Sequence, residues 1–589
     1  PDNMNLVERI SILKDAAAAA IWGARAANGV IVIETKKGKK GEMRVSYSGN
    51  FKVESKYDFD DLRRADSKTV VDYELESFDK GLIGGYIYED ATSGYSPAYS
   101  AIFDYENQSI TRDQLMTRLD SLGNISNKNQ IKDKLLRNAF TQQHNLSISG
   151  GSEKLTYFLS TSYRGQHSGY KGDDSQSINV MMKNSYELHP RLTLRADVNV
   201  THFNASYPGP VSAPLLDGDQ RITRGMTSFA VENKYEKTSG ALSFFYNWGD
   251  HWINDGYTPS AGESPKDNRF NSFDDMMGIS VYQSARFFKG NRITFGFDWF
   301  RNGGKAWNEY VSGEQAGTRK DLVNKHENEM AGYVDFRQDI TPWVTLNAGI
   351  RIDHHTRVGT EWVPQAGLAF HLPHTIELKA SASKGFRYPI LREMYMFPPQ
   401  NPDLKPESMW NYEIAFSQRL LGGSLSYGVN VFYIDGRNLI MTLPNPNGSG
   451  MLNQNSGKID NAGIETQVAY RINKSWSVDA NYSFLHMENP VVAAPEHKLY
   501  VGANFTYGRW SASTGVQYIN GLYTSVITNG KGTETTENFV LWNLRGQFRA
   551  TKWLDIWARG ENLLAQRYEI NAGYPMPKAT VMAGINLNF

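Results

Sequence analysis

Hydrophobic and polar residues alternate with a period of two along much of the chain, the mark of strands whose two faces meet different surroundings. Between Trp343 and His354, one face carries Val344, Leu346, Ala348, Ile350 and Ile352, and the other carries Thr345, Asn347, Gly349, Arg351 and Asp353. Leu194, Ala196, Val198 and Val200 likewise oppose Thr193, Arg195, Asp197 and Asn199, while Leu554, Ile556 and Ala558 oppose Asp555, Trp557 and Arg559. This pattern suits a soluble sandwich with its apolar face inward, and equally a membrane barrel with its apolar face outward. Connection lengths separate the two. Tight turns fall at Gly151–Lys154, His189–Arg191, Thr238–Gly240, Gly290–Asn291, Thr341–Trp343, Leu372–His374, Leu421–Gly423, Ile472–Lys474, Gly508–Arg509 and Thr551–Trp553. Longer polar or Gly/Pro-rich connections lie around 55–141, 167–175, 205–225, 251–272, 305–325, 355–360, 385–408, 437–457, 488–495, 523–537 and 564–577. Short turns on one rim and long loops on the other are characteristic of outer-membrane barrels. Ten short and eleven long connections join twenty-two strands, the first near 43–54 and the last at 578–589. The fold expected is therefore all-β, a 22-stranded antiparallel transmembrane β-barrel, a size that encloses a plugged lumen.

The last strand supports this assignment. Ala579, Val581, Ala583, Ile585, Leu587 and the terminal Phe589 share a face, and an aromatic terminus of this kind resembles the assembly signal of outer-membrane proteins. Trp343, Trp476, Trp510 and Trp553 flank turns, where an interfacial girdle would place them. Residues 1–40 read differently: a strand at Val7–Leu13, an alanine-rich helix from an N-cap at Asp15 to about Trp22, and a second strand at Val30–Thr35. They form a unit apart from the barrel at 41–589, which carries one long insertion, 55–141, with helical patterns near 113–122 and 129–140. In the second of these, Ile131, Leu135 and Ala139 share a stripe.

Composition narrows the chemistry. The 589 residues hold 62 basic and 62 acidic side chains, with no sustained basic stripe, so nucleic acid is excluded as a partner. The absence of cysteine removes disulfides, thiolate metal sites and cysteine nucleophiles. No stretch is apolar enough for a membrane-spanning helix, and a mean hydropathy of −0.50 is compatible with strands apolar on one face only. Neither an initiator Met nor a signal segment stands at Pro1, so a processed chain or an internal fragment is expected. No nucleophile elbow, phosphate loop or HExxH motif is present, and an enzyme is not expected. His354 and His355 are adjacent on a strand and point to opposite faces, which makes them poor joint metal ligands. No metal site and no cofactor is expected.

The segment VERISILKDAAAAAIWGARAANGVIVIETKKGKKG, residues 7–41, resembles the closing part of the plug domain of TonB-dependent outer-membrane transporters. Its Lys-Asp-Ala-Ala opening and its Gly-Ala-Arg-Ala-Ala-Asn-Gly core at 23–29 resemble the SusC/RagA branch, as does NAFTQQHNLSISGGSEK at 138–154. GFRYP at 385–389, NPDLKPE at 401–407, NAGIE at 461–465, APEHK at 494–498, and ENLLAQRYE with GYPMP between 561 and 577 are similar to the wider family. The resemblance implies a Gram-negative, Bacteroidetes-like outer membrane, a plug domain whose C-terminal part is residues 1–40, and coupling to TonB through an N-terminal region outside this chain. It also implies a SusD-like lipoprotein as a candidate partner. The barrel is compact for the SusC/RagA branch, and its C-terminal half is more similar to small-ligand receptors. A metal chelate such as a ferric siderophore is thus the favoured cargo, and an oligosaccharide the second.

Candidate ligand contacts follow from side chains expected at the pore mouth. Phe386, Arg387, Tyr388, Arg392 and Tyr395 in the 385–408 connection offer aromatic faces and guanidinium groups to a large ligand, or else brace the loop. Trp252 and Trp307 serve either to stack on a sugar or to anchor their loops. For plug–barrel contact the candidates are Arg25 in the plug motif and Arg351, Asp353, Arg559 and Glu561 on the lumenal face, where mutual ion pairing is the alternative. A passive unplugged pore and a soluble β-rich adhesin are the competing classes.

Overall fold

The computed structural model describes residues 6–13, 30–56, 65–82, 96–207, 218–257, 266–311, 315–396, 399–527 and 532–589. Twenty-two antiparallel strands form a closed barrel, from Gly41–Glu54 to Thr580–Asn588, and those two strands pair with each other to seal the ring. Phe589 extends the closure, because its N–H donates to the Val45 carbonyl (2.9 Å) while its ring stacks on Trp553 with centroids 5.9 Å apart. Closure leaves no unpaired edge, which a membrane strand requires because lipid offers the backbone no hydrogen bonds.

The faces are those of a membrane barrel. On the strand Val344–His355, Ile350 is 41% exposed, whereas Arg351 is 2% and Asp353 0% exposed. Apolar side chains therefore point away from the protein and charged ones into it, the inverse of a soluble sandwich.

Most turns lie where alternation placed them, with one instructive shift. The turn expected at Thr238–Gly240 lies at 235–237, since Thr238, Ser239 and Gly240 already pair in the ladder. Gly240 serves close packing rather than a turn: a Cβ there would collide with the Tyr282 carbonyl. On the other rim the strands run further than expected. Much of 251–272 belongs to Thr238–Tyr257 and Lys266–Ala285, much of 305–325 to Asn291–Tyr310 and Arg319–Thr341, and much of 437–457 to Leu425–Pro444 and Met451–Arg471. Above the bilayer both faces of a strand meet water, so the apolar alternation fades while the ladder continues.

Among its described residues the long insertion holds four helices: α1 (Ser67–Asp79), α2 (Pro97–Glu106), α3 (Arg112–Gly123) and α4 (Lys128–Lys134). Asp66, Ser96 and Thr111 cap the first three, accepting from the backbone N–H of Thr69, Tyr99 and Gln114. These three helices bury a core of Val71, Ala98, Ala101, Ile102, Leu115 and Leu119. Helix α3 matches the expected pattern. The stripe expected at Ile131, Leu135 and Ala139 does not form, because α4 ends at Lys134 and Ala139 opens the strand Ala139–Gly151. Leu136 instead bridges to Tyr170, tying the insertion's stem to the neighbouring loop.

Val7–Leu13 and Val30–Thr35 form a separate two-stranded antiparallel sheet. Leu6, just before it, packs with Phe158 and Met181, and Lys40 pairs with Glu187 at 3.2 Å. Gly38 lies so close to Tyr157 that a Cβ would collide with its backbone. The expected helix at Asp15–Trp22, and Arg25, lie outside the described residues.

Candidate functional site

A cavity of about 1410 Å³ occupies the lumen toward the long-loop rim, above the roughly 300–1,000 Å³ usual for small-ligand pockets. Its walls come from the strands 218–234, 238–257, 266–285, 291–310 and 319–341, and from the loop that follows Ile376–Arg387.

That loop is braced from below. Pairing between Gly359–Leu372 and Ile376–Arg387 ends at Gln365 and Ser383, immediately before Pro364, which has no N–H to offer a ladder. Beyond this point Lys384 pairs with Glu361 at 2.9 Å, and Phe386 packs against Val363 and Tyr388. Tyr388 donates its hydroxyl toward the carbonyls of Asp353 and Gly359, each 3.1 Å away. Burial, reinforced by the nearby Asp353 and Glu329 carboxylates, raises the pKa of this hydroxyl and keeps it a donor.

Arg387 is held by two carboxylates at once. Its Nε and Nη2 donate to Glu407 at 2.7 and 2.8 Å, and its Nη1 and Nη2 donate to Glu393 at 2.9 and 3.0 Å. Both glutamates also accept from backbone, Glu393 from Ile390 and Glu407 from Ile440, so one guanidinium ties three chain segments together. Arg392 begins a single wide helical turn, Arg392–Met396, and lines the cavity with Arg387 and Tyr388. Tyr395 is buried with Met394 and Leu404, and Lys325 and Arg357 lie over its ring at 5.4 and 5.2 Å. Asn401 and Asn453 complete the brace, donating to the carbonyls of Asn453 and Glu393.

Replacing Arg387 by Ala leaves Glu393 and Glu407 facing each other, and we expect a local loss on the order of 1–3 kcal/mol. Trypsin should then cut after Arg392 about tenfold faster, with Arg387→Lys intermediate because an ammonium cannot span both carboxylates. Unchanged cleavage would remove this role.

The lumenal charges fall into two groups far apart around the ring. Arg351 is paired within the wall, its Nη1 2.7 Å from Asp298 and its Nε 3.0 Å from both oxygens of Asp353. Its guanidinium also lies 5.4 Å from the Tyr333 ring centroid. Arg559 pairs with Glu561 at 2.7 Å on the strand Leu554–Glu561. Asp298 was not anticipated, although it carries a signal: it shares the polar face of Thr294 and Gly296 between Phe297 and Trp299. Glu393, Glu407 and Asn453 were missed because alternation does not say which side chains meet: Arg387 reaches Glu393 within one loop and Glu407 across a hairpin, and Asn453 reaches the Glu393 carbonyl from another hairpin.

Trp252 and Trp307 sit on strands, not in loops, and on the outward parity. Trp252 shares its face with Leu242 and Phe244, and Trp307 with Phe295 and Phe297. Arg221 and Arg269 lie over the Trp252 ring at 5.2 and 4.6 Å, and Arg319 over Trp307 at 4.2 Å. An unbroken alternation carries these indoles onto the barrel's outer wall, away from the cavity and from Arg387 and Tyr388. Among the described residues no group of three or more His, Asp or Glu is placed to hold a metal ion.

Residues 206–563 match the family model described as TonB dependent receptor-like, beta-barrel. TonB-dependent receptor SusC of Bacteroides thetaiotaomicron is 28% identical over 239 residues, covering 40% of this chain and 19% of that protein. An iron-regulated outer membrane virulence protein of Vibrio cholerae is 23% identical over 295 residues, covering 45% and 44%. The match thus spans less than half the length of either relative. Among solved structures, the siderophore receptor PirA from Acinetobacter baumannii superposes with a TM-score of 0.73 at 13% identity, covering 99% of this chain and 85% of that one. The RagAB peptide importer in its closed-closed state gives 0.72 at 14%, covering 100% and 91%. At such identities the structural likeness is one of fold.

Proposed function

Because the chain belongs to the TonB-dependent receptor-like β-barrel family, whose members are outer-membrane receptors and transporters rather than enzymes, we propose that it captures a large nutrient ligand at the lumenal cavity for TonB-driven import. The cavity carries this reading: about 1410 Å³, open to the long-loop rim and walled on one side by a rigidly braced loop. In this reading residues 1–40 are the closing piece of a plug, 41–589 the barrel, and 55–141 an external insertion. Leu6 and Lys40, seated against Phe158, Met181 and Glu187, support it. Occupancy of the cavity shifts the plug, and TonB, energised from the inner membrane, pulls on a region N-terminal to this chain.

The cargo we favour is a metal chelate such as a ferric siderophore. Trp252 and Trp307, the side chains suited to stacking on sugar rings, face outward and leave the cavity without them. The second reading, an oligosaccharide carried with a SusD-type lipoprotein, is favoured by the identity to SusC. Deleting the gene in its host should reduce uptake of radiolabelled ferric siderophore under iron limitation, as should loss of TonB, and complementation should restore it. Loss of growth on an oligosaccharide with iron uptake unchanged would favour the second reading. TonB-independent leakage of small sugars through the purified barrel in liposomes would make it a passive pore.

A further inference from the structure

The cavity is not electrically even. On the strand Arg319–Thr341, Glu327 and Glu329 stand two residues apart on the lumenal face, both line the cavity, and they are only 7% and 6% exposed. Four basic groups near this pair have other partners. Arg351 is bound to Asp298 and Asp353, Arg387 is forked between Glu393 and Glu407, and Lys325 and Arg357 lie over the Tyr395 ring. Arg357 also donates to the Pro402 carbonyl.

His355 is the neighbour facing Glu327, and its geometry limits what it can give. Its Nδ1 accepts from the backbone N–H groups of Arg357 and Val358 at 3.3 and 3.2 Å, so the ring proton sits on Nε2, directed at Oε2 of Glu327 from 3.4 Å. The other oxygen, Oε1, is buried with no hydrogen-bond partner. A buried carboxylate oxygen without a donor is costly and is retained where something else supplies the donor.

We propose that Glu327, with Glu329 beside it, forms a recognition subsite in the cavity for a positively charged donor on the cargo, a protonated amine. The subsite rests on the import reading above and refines it. An ammonium seated there would donate to Oε1 of Glu327 and offset the charge of both glutamates, out of bulk water, where charge-assisted hydrogen bonds are strongest. The same pair of carboxylates disfavours polyanionic chelates such as ferric tris-catecholates, so the refined cargo is a neutral or cationic chelate bearing a free amine.

Ferrioxamine B, a ferric trihydroxamate with a pendant primary amine, and its N-acetylated form provide the test. Binding of each to the purified full chain in detergent is measured by titration calorimetry. Acetylation is expected to weaken binding roughly tenfold or more, the scale of one charge-assisted hydrogen bond. Glu327→Gln should weaken the amine form similarly and abolish discrimination, whereas Glu329→Gln should reduce discrimination partly, through charge alone. Heat-modifiable gel migration checks that each variant is folded, and should Glu327→Gln fail that check, the Glu329→Gln ratio decides. Equal affinity for both forms in the unaltered protein overturns the subsite while leaving siderophore import standing. Binding of neither form, with uptake of ferric siderophores also absent in cells, overturns both.

Discussion

Replacing Arg351 by Ala is expected to destabilise the barrel by about 3–5 kcal/mol, the cost of stranding buried charge. The guanidinium is the shared partner of Asp298 and Asp353, and all three are almost wholly buried in the wall. Removing it leaves two carboxylates in low dielectric with Glu329 close by, and Asp298 retains only the hydroxyl of Ser280, 2.6 Å away. The loss should spread outward, because the backbone of Asp353 is one anchor of Tyr388, and Tyr388 holds the cavity loop. Converting the whole group together, Arg351→Met with Asp298→Asn and Asp353→Asn, should recover most of the loss by leaving no charge to strand. Urea midpoints of the folded, heat-modifiable form give both quantities. A single-substitution cost below about 1 kcal/mol would mean that water reaches the triad.

A second large effect is expected on the opposite face. Phe297 lies between Phe295 and Trp299 on the outward parity of Asn291–Tyr310 and is 46% exposed, in the middle of the apolar band. Phe297→Arg should cost about 2–4 kcal/mol in a bilayer, the measured range for arginine near the midplane of such barrels. Met226 provides the control. It too is an exposed apolar side chain, but it pairs in register with Asn199 and Asn247 on the lumenal face. Met226→Lys should therefore change stability by no more than about 0.5 kcal/mol. Folding into phosphatidylcholine vesicles at graded urea distinguishes the two, and equal costs would contradict the inside-out arrangement.

Legibility differed between parts of the molecule for identifiable reasons. Within the bilayer each strand separates hydrocarbon from a polar lumen, so neighbouring residues had to differ, and Val344 to His355 could be read one position at a time. Above the bilayer that contrast vanishes: Trp252 and Trp307 were read as loop residues because polar side chains occupy both faces, although parity from Leu242 and Phe295 continues through them. Helix α3 was legible from its periodicity, whereas α1 and α2, which bury their apolar residues chiefly against α3, announce themselves weakly.

The alternation of neighbours, together with the spacing of short and long connections, thus determined from the sequence by itself the strand count, the inside-out faces and the aromatic residue that ends the last strand. The pairing of polar groups was decided only by the tertiary structure. Arg351 reaches Asp298, 53 positions earlier in the chain and one strand beyond its neighbour. Arg387 reaches Glu407 across a hairpin, and Glu327 meets His355 with one oxygen left over. Alternation states which way a charged side chain points, but its partner is set by ring closure and strand register, which bring distant segments to the same height on the wall.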